Sequence, residues 1–114
     1  MCGINGFYSK TSSTFNNAIT NMNSAISHRG PDTDGVWNDK NTGVVLGHQR
    51  LSIIDLSKAG HQPMQSHSER FIITYNGEIY NHLEIRNELE KSSSNIKWRG
   101  NSDTETFLEE IDFW

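Results

Sequence analysis

The 114-residue sequence predicts an α+β domain. Three observations carry that reading. Short runs alternate apolar and polar residues, as half-buried strands do. Longer runs repeat their apolar residues at helical spacing. The two kinds of run mix without the strict strand–helix alternation of a parallel α/β sheet.

Residues 3–8 alternate and form the first strand, and residues 10–13 are a polar loop. From there Phe15, Ala18, Ile19, Met22, Ala25 and Ile26 mark one face of a helix, with Ser12, Ser13 or Thr14 as its N-cap. His28 and Arg29 fall in its last turn, where cations suit the helix dipole, and Gly30-Pro31 stop it. Residues 35–38 and 43–48 are strands joined by the turn 39–42. Residues 57–68 contain Gly60 and Pro63, lack periodicity, and read as a loop. Residues 71–75 form an apolar strand that Asn76-Gly77 punctuates. A second helix starts near Asn81, with Glu84 completing a capping box, and buries Leu83, Ile85 and Leu89. Residues 96–99 read as a further strand. Ser102 and Glu105 form a second capping box ahead of a helix that buries Phe107, Leu108 and Ile111.

A net charge of -4 argues against nucleic acid or an anionic membrane as partner. No apolar run is long enough to span a bilayer, and the start lacks the pattern of a signal peptide. One cysteine makes no internal disulfide, so a cytoplasmic location is expected. Only 33% of the residues are hydrophobic, and the sequence stops on Phe113-Trp114 after a helical stretch. Both features suggest a core completed by residues outside this chain, which then covers the N-terminal portion of a domain.

Chemistry starts at the single cysteine, Cys2. A thiol is little ionised near neutral pH and needs a base beside it. Removal of Met1 would give Cys2 a free α-amine, so one residue would carry both nucleophile and base. A buried, inert thiol is the plainer alternative. Arg50, just after an apolar strand, suits a bidentate clamp on a carboxylate, although a solvated strand end explains it as well. Asn76-Gly77 reads as a hairpin turn or as a pair of oxyanion donors, the Asn amide and the Gly N–H. Asp103 serves a helix N-terminus or an α-ammonium group. Arg29 is a helix C-cap neighbour or a prop for the site. The five histidines, His28, His48, His61, His67 and His82, have no metal-ligand spacing, so no metal is expected, and no phosphate-cradling glycine loop is present. A nucleophile with its own base, two oxyanion donors, a cation and a carboxylate would together suit an amide with an amino-acid head group. Glutamine is the natural candidate.

Cys2-Gly3-Ile4, His28-Arg29-Gly30-Pro31-Asp32, Arg50-Leu51-Ser52-Ile53-Ile54-Asp55, Asn76-Gly77-Glu78-Ile79-Tyr80-Asn81 and Ser102-Asp103-Thr104-Glu105 stand in the order seen in class II glutamine amidotransferases. The chain resembles that family of N-terminal-nucleophile hydrolases, in the wording of its glutamine-hydrolysing asparagine synthetases. The resemblance implies an α/β/β/α sandwich, here truncated to its N-terminal part. It implies Cys2 as nucleophile, with Asn76 and Gly77 holding the oxyanion. Arg50 would bind the carboxylate of L-glutamine, and Asp103, with Glu78, its ammonium group. Leu51, Ser52, Ile53 and Ile54 would wall the pocket, and Arg29 would support the nucleophile. No cofactor is implied for this part. The family's C-terminal synthetase domain receives ammonia through a tunnel and uses ATP and magnesium to amidate aspartate. A homodimer stays open. Two alternatives remain: an inactive fragment that only binds partners, and the glutaminase part of another ATP-dependent amide-forming enzyme. A chain that keeps Met1 has no free amine at Cys2 and is expected to be inactive.

Overall fold

The computed structural model of the protein describes residues 1–10, 15–93 and 96–114. The candidate N-caps Ser12, Ser13 and Thr14, and the side chain of Phe15, lie outside that description. The architecture is α+β, as the sequence predicts. In chain order it comprises β1 (Gly3–Tyr8), α1 (Phe15–Ala25), β2 (Thr33–Asp39), β3 (Val44–Arg50), β4 (Met64–Gln65), β5 (Ile72–Ile73), α2 (His82–Ser92) and α3 (Asp103–Phe113).

The first three strands form one antiparallel sheet in the order β1-β3-β2. Its register pairs Gly3 with Gln49 and Thr33 with Arg50. The start of β1, the start of β2 and the end of β3 therefore meet at one end of the sheet. β2 and β3 run further than the alternation suggests because they pair along their whole length, down to Asp39 opposite Val44. Gly43 closes the turn between them with φ +81°, where a side chain would be strained.

α1 lies on this sheet through Ile19, which packs with Val45 and Phe7. Its buried face departs from the apolar pattern. Ala25 is exposed, whereas Asn23 is buried and donates to the Gly35 carbonyl at 3.2 Å while accepting from Asn5 at 2.7 Å. The helix also stops at Ala25. His28 and Arg29 belong to a separate 3-10 turn, Ser27–Arg29, rather than to its last turn.

The expected loop 57–68 holds a 3-10 turn, Lys58–Gly60, and the short strand β4. β4 pairs with β5, which is shorter than the predicted 71–75. No strand forms over 96–99. That segment is held instead by the buried Glu105 carboxylate, which accepts from Arg99 N at 2.8 Å and Gly100 N at 3.1 Å. Glu105 therefore does not close a capping box. Ser102 does cap α3, accepting from Thr104 N at 3.2 Å. On α2 the Asn81 side chain makes no cap bond, so the Glu84 capping box is not formed either. Leu83 is exposed, and Arg86 takes its place inward, stacked 4.0 Å from the Trp98 ring and donating to the Gly100 carbonyl at 2.9 Å. Leu89 and Leu108 are buried where α2 and α3 pack, Ile85 and Phe107 are half-buried, and Ile111 faces outward. Among the described residues no helix is long and apolar enough to cross a membrane.

Candidate active site

The sheet register brings a thiol and a guanidinium together first. β1 opens opposite Gln49, so the residue before it falls level with Arg50. There the half-buried Cys2 accepts the Leu51 N–H on its Sγ at 3.3 Å and donates its thiol to the Leu51 carbonyl at 3.5 Å. Arg29, exposed on the 3-10 turn, donates from Nε to the Cys2 carbonyl at 3.2 Å.

Arg50 is 8% exposed. It donates to the Ser57 carbonyl at 2.8 Å and to the Asp55 carbonyl. A guanidinium has five N–H donors, so three remain for a ligand. Gly60 makes room for it, since a Cβ there would lie 2.2 Å from Arg50 Nη2. Burial works to raise the Asp55 carboxyl, but hydrogen bonds from Ser57 and Asn101 and the charge of Arg50 together hold it below its usual range.

Beyond β5, Tyr75 donates its N–H to Gln62 Oε1 at 2.6 Å. Its carbonyl lies 3.3 Å from His48 Nε2. His48 is almost fully buried, and burial is the main reason its pKa falls to about 4; the Tyr75 carbonyl opposes that, and the charges of His61 and Arg50 add to it. A neutral ring has one N–H, and pairing with a carbonyl puts it on Nε2. The next residues, Asn76, Gly77 and Glu78, do not form a hairpin; the chain turns into α2. Ile79 N donates to Asp103 Oδ2 at 2.9 Å, while Asp103 Oδ1 accepts from Thr104 N at 2.8 Å. Asp103 is buried at the start of α3. An ionised carboxylate offers about four acceptor positions, so roughly half of them stay open.

These pieces enclose a cavity of about 310 Å³. It is lined by Cys2, Arg50, Leu51, Ile53, Ile54, Asn76, Gly77, Glu78 and Asp103. Ser52 does not line it. Asp32, whose N–H donates to the Arg50 carbonyl, takes the Ser52 N–H on its carboxylate at 2.7 Å and turns Ser52 to a neighbouring groove. Ile53 and Ile54 form an open wall, 60% and 44% exposed. Met1, Asp55, Gly60, Gln62, Tyr75, Tyr80, Ser102 and Thr104 also line the cavity and were not expected from the sequence. Nothing in the sequence pattern sets Gln62 apart from ordinary loop residues, and Thr104 stands out only as a member of the 102–105 motif. Among the described residues no group of three or more His, Cys, Asp or Glu side chains is placed to hold a metal ion.

The glutamine amidotransferase domain family matches residues 1–114. A relative from Methanocaldococcus jannaschii is 41% identical over 95% of this chain, which is 23% of its own length. The glutamine-hydrolysing asparagine synthetase 1 of Bacillus subtilis strain 168 is 41% identical over 95% of this chain and 17% of its own. Asparagine synthetase 3 of the same bacterium, also named glutamine-hydrolysing, is 34% identical over the whole chain and 18% of its own. The chain thus spans less than a quarter of the length of these relatives.

Proposed function

The chain belongs to the glutamine amidotransferase domain family, and on that premise we propose that its cavity hydrolyses the side-chain amide of L-glutamine as the glutaminase part of an asparagine synthetase. One observation carries the reading. Cys2, Arg50, Asn76 with Gly77, and Asp103 come from four separate segments and line a single cavity. Its volume is at the small end of ligand pockets, which suits an amino acid.

Met1 removal frees the α-amine of Cys2, which takes the thiol proton as Sγ attacks the amide carbon. Asn76 Nδ2 and Gly77 N–H donate to the oxyanion that forms. Collapse of this adduct breaks the carbon–nitrogen bond. The amine returns its proton to the leaving nitrogen, which departs as ammonia, and a thioester remains. Water adds by the same route, releases glutamate and restores the thiol. Arg50 holds the α-carboxylate with its spare N–H groups, and Asp103 with Glu78 holds the α-ammonium. Leu51, Ile53 and Ile54 flank the methylene chain, and Arg29 steadies the Cys2 backbone. Asparagine formation from aspartate, with ATP and magnesium, is proposed for a synthetase domain beyond these residues. Among the described residues no group of three or more His, Cys, Asp or Glu side chains is placed to hold magnesium here.

The test is release of glutamate and ammonia from glutamine by the natural full-length protein, beside its Cys2→Ala variant. Release that depends on Cys2 is expected. Undiminished release by Cys2→Ala contradicts the reading.

A further inference from the structure

Gln62 follows a 3-10 turn, where local structure asks for no particular side chain, yet it is only 6% exposed and both ends of its amide are engaged. Oε1 accepts the Tyr75 N–H at 2.6 Å, and Nε2 donates to the Thr104 hydroxyl at 3.2 Å. Chemistry forces this orientation. A backbone N–H can only donate, so the amide oxygen must face Tyr75 and the nitrogen must face Thr104. The backbone of Gln62 is also wedged: a Cβ on Gly35 of β2 would lie 1.9 Å from its carbonyl oxygen. One residue therefore joins the wall of the sheet, the residue before Asn76, and the residue after Asp103.

Tyr75 lies outside the β5 ladder, so strand pairing does not fix its peptide. Its N–H goes to Gln62 and its carbonyl to His48. Four residues on, the Ile79 N–H goes to Asp103. Segment 75–79 is thus pinned at both ends by side chains, and one pin shares Thr104 with the turn of helix that presents Asp103.

We propose that Gln62 is a positioning residue, whose bridge from Tyr75 N–H to Thr104 Oγ1 aims the Asn76 amide and the Gly77 N–H at the developing oxyanion, in register with Asp103. The inference rests on the glutaminase reading and names a residue that touches no reacting atom. Oxyanion donors act only within about 2.7–3.1 Å of the oxyanion's position. Slack in their segment therefore weakens the transition state more than it weakens ground-state binding, and its loss is felt in kcat.

The experiment is glutaminase kinetics on the natural full-length protein. Gln62→Leu matches the side chain in size and removes both polar ends. It should lower kcat about tenfold or more, with KM for glutamine within about threefold and glutamate still bound. In an Asn76→Ala background the same change should cost several-fold less, because only the Gly77 N–H is then left to misaim. Gln62→Glu keeps an acceptor for Tyr75 and lets the Thr104 hydroxyl donate, and it should return kcat to within about threefold of the parent. Thr104→Val carries the test if Gln62→Leu does not fold, with an expected kcat loss of about threefold or more at constant KM. Parental kcat in the folded variants overturns the inference, as does an undiminished Gln62→Leu loss on the Asn76→Ala background. If Asn76→Ala itself keeps parental kcat, the oxyanion reading falls and this inference falls with it. A parent-like Gln62→Leu beside a crippled Asn76→Ala overturns the inference alone.

Discussion

The backbone N–H of Leu51 points at the sulfur of Cys2 across 3.3 Å. That contact follows from the register of β1 on β3, which sets the residue before Gly3 beside the end of the neighbouring strand. Arg50 precedes Leu51 in the chain, so one strand end serves the Cys2 thiol with an N–H and the cavity with a guanidinium. The separation between the Cys2 thiol and the Arg50 guanidinium is then a property of the sheet.

The Arg50 guanidinium lies against residue 60, which lacks a side chain. Gly60→Ala would put a Cβ 2.2 Å from Nη2 and force the guanidinium to move. A carboxylate clamp acts on ground state and transition state alike. KM for glutamine should therefore rise about tenfold or more, with kcat within about threefold. Steady-state kinetics check this, and an unchanged KM would take Arg50 out of that role.

Asn76→Ala removes one oxyanion donor. Its kcat for glutamine hydrolysis should fall roughly 10²–10³-fold while KM changes little. A kcat near that of the parent would mean that the oxyanion is held elsewhere.

Glu105 is fully buried and gathers Arg99 Nε at 3.1 Å and Arg86 Nη2 at 3.7 Å, besides the two backbone N–H groups. Glu105→Gln leaves the buried Arg86 without its counter-charge, which should destabilise the fold by about 3–5 kcal/mol. Urea unfolding measures this directly. A loss below about 1 kcal/mol would show that the cluster is well solvated.

His48 gives the fold a pH dependence of known sign. Its pKa lies at about 4 in the fold against 6.5 ordinarily. Between those values the unfolded chain binds a proton that the folded chain does not, so stability falls as pH drops through the window. His48→Gln keeps a donor for the Tyr75 carbonyl and removes the titration. It should flatten the stability slope between pH 6.5 and 4 by up to about 1.4 kcal/mol per pH unit. Urea unfolding at several pH values checks it, and an unchanged slope contradicts it.

Elements with a clear period were legible in the sequence. β1 alternates, and α1, α2 and α3 repeat apolar residues at helical spacing, so all four stand close to their expected bounds. β4 and β5 are two residues each, too short to show any period. Buried polar residues defeated the pattern because their partners are distant or unforeseen. Asn23 takes the Gly35 carbonyl, Arg86 the Gly100 carbonyl, and Glu105 the backbone of the segment read as a strand over 96–99. The candidate site residues stood in consecutive motifs, and the cavity gathers all the expected lining residues except Ser52. Ser52 faces the neighbouring groove because Asp32, just ahead of β2, takes its N–H. Gln62 escaped notice because its partners Tyr75 and Thr104 lie 13 and 42 residues away.

On the proposed reading, Cys2, once freed of Met1, attacks a glutamine side chain seated in this cavity. Intact-mass measurement before and after treatment with the glutamine analogue 6-diazo-5-oxo-norleucine tests it most directly. A species lacking Met1 that gains a single covalent adduct on Cys2, blocked by excess glutamine, is expected, while a species retaining Met1 stays unlabelled. A species lacking Met1 that takes no adduct, or equal labelling with Met1 in place, would contradict it.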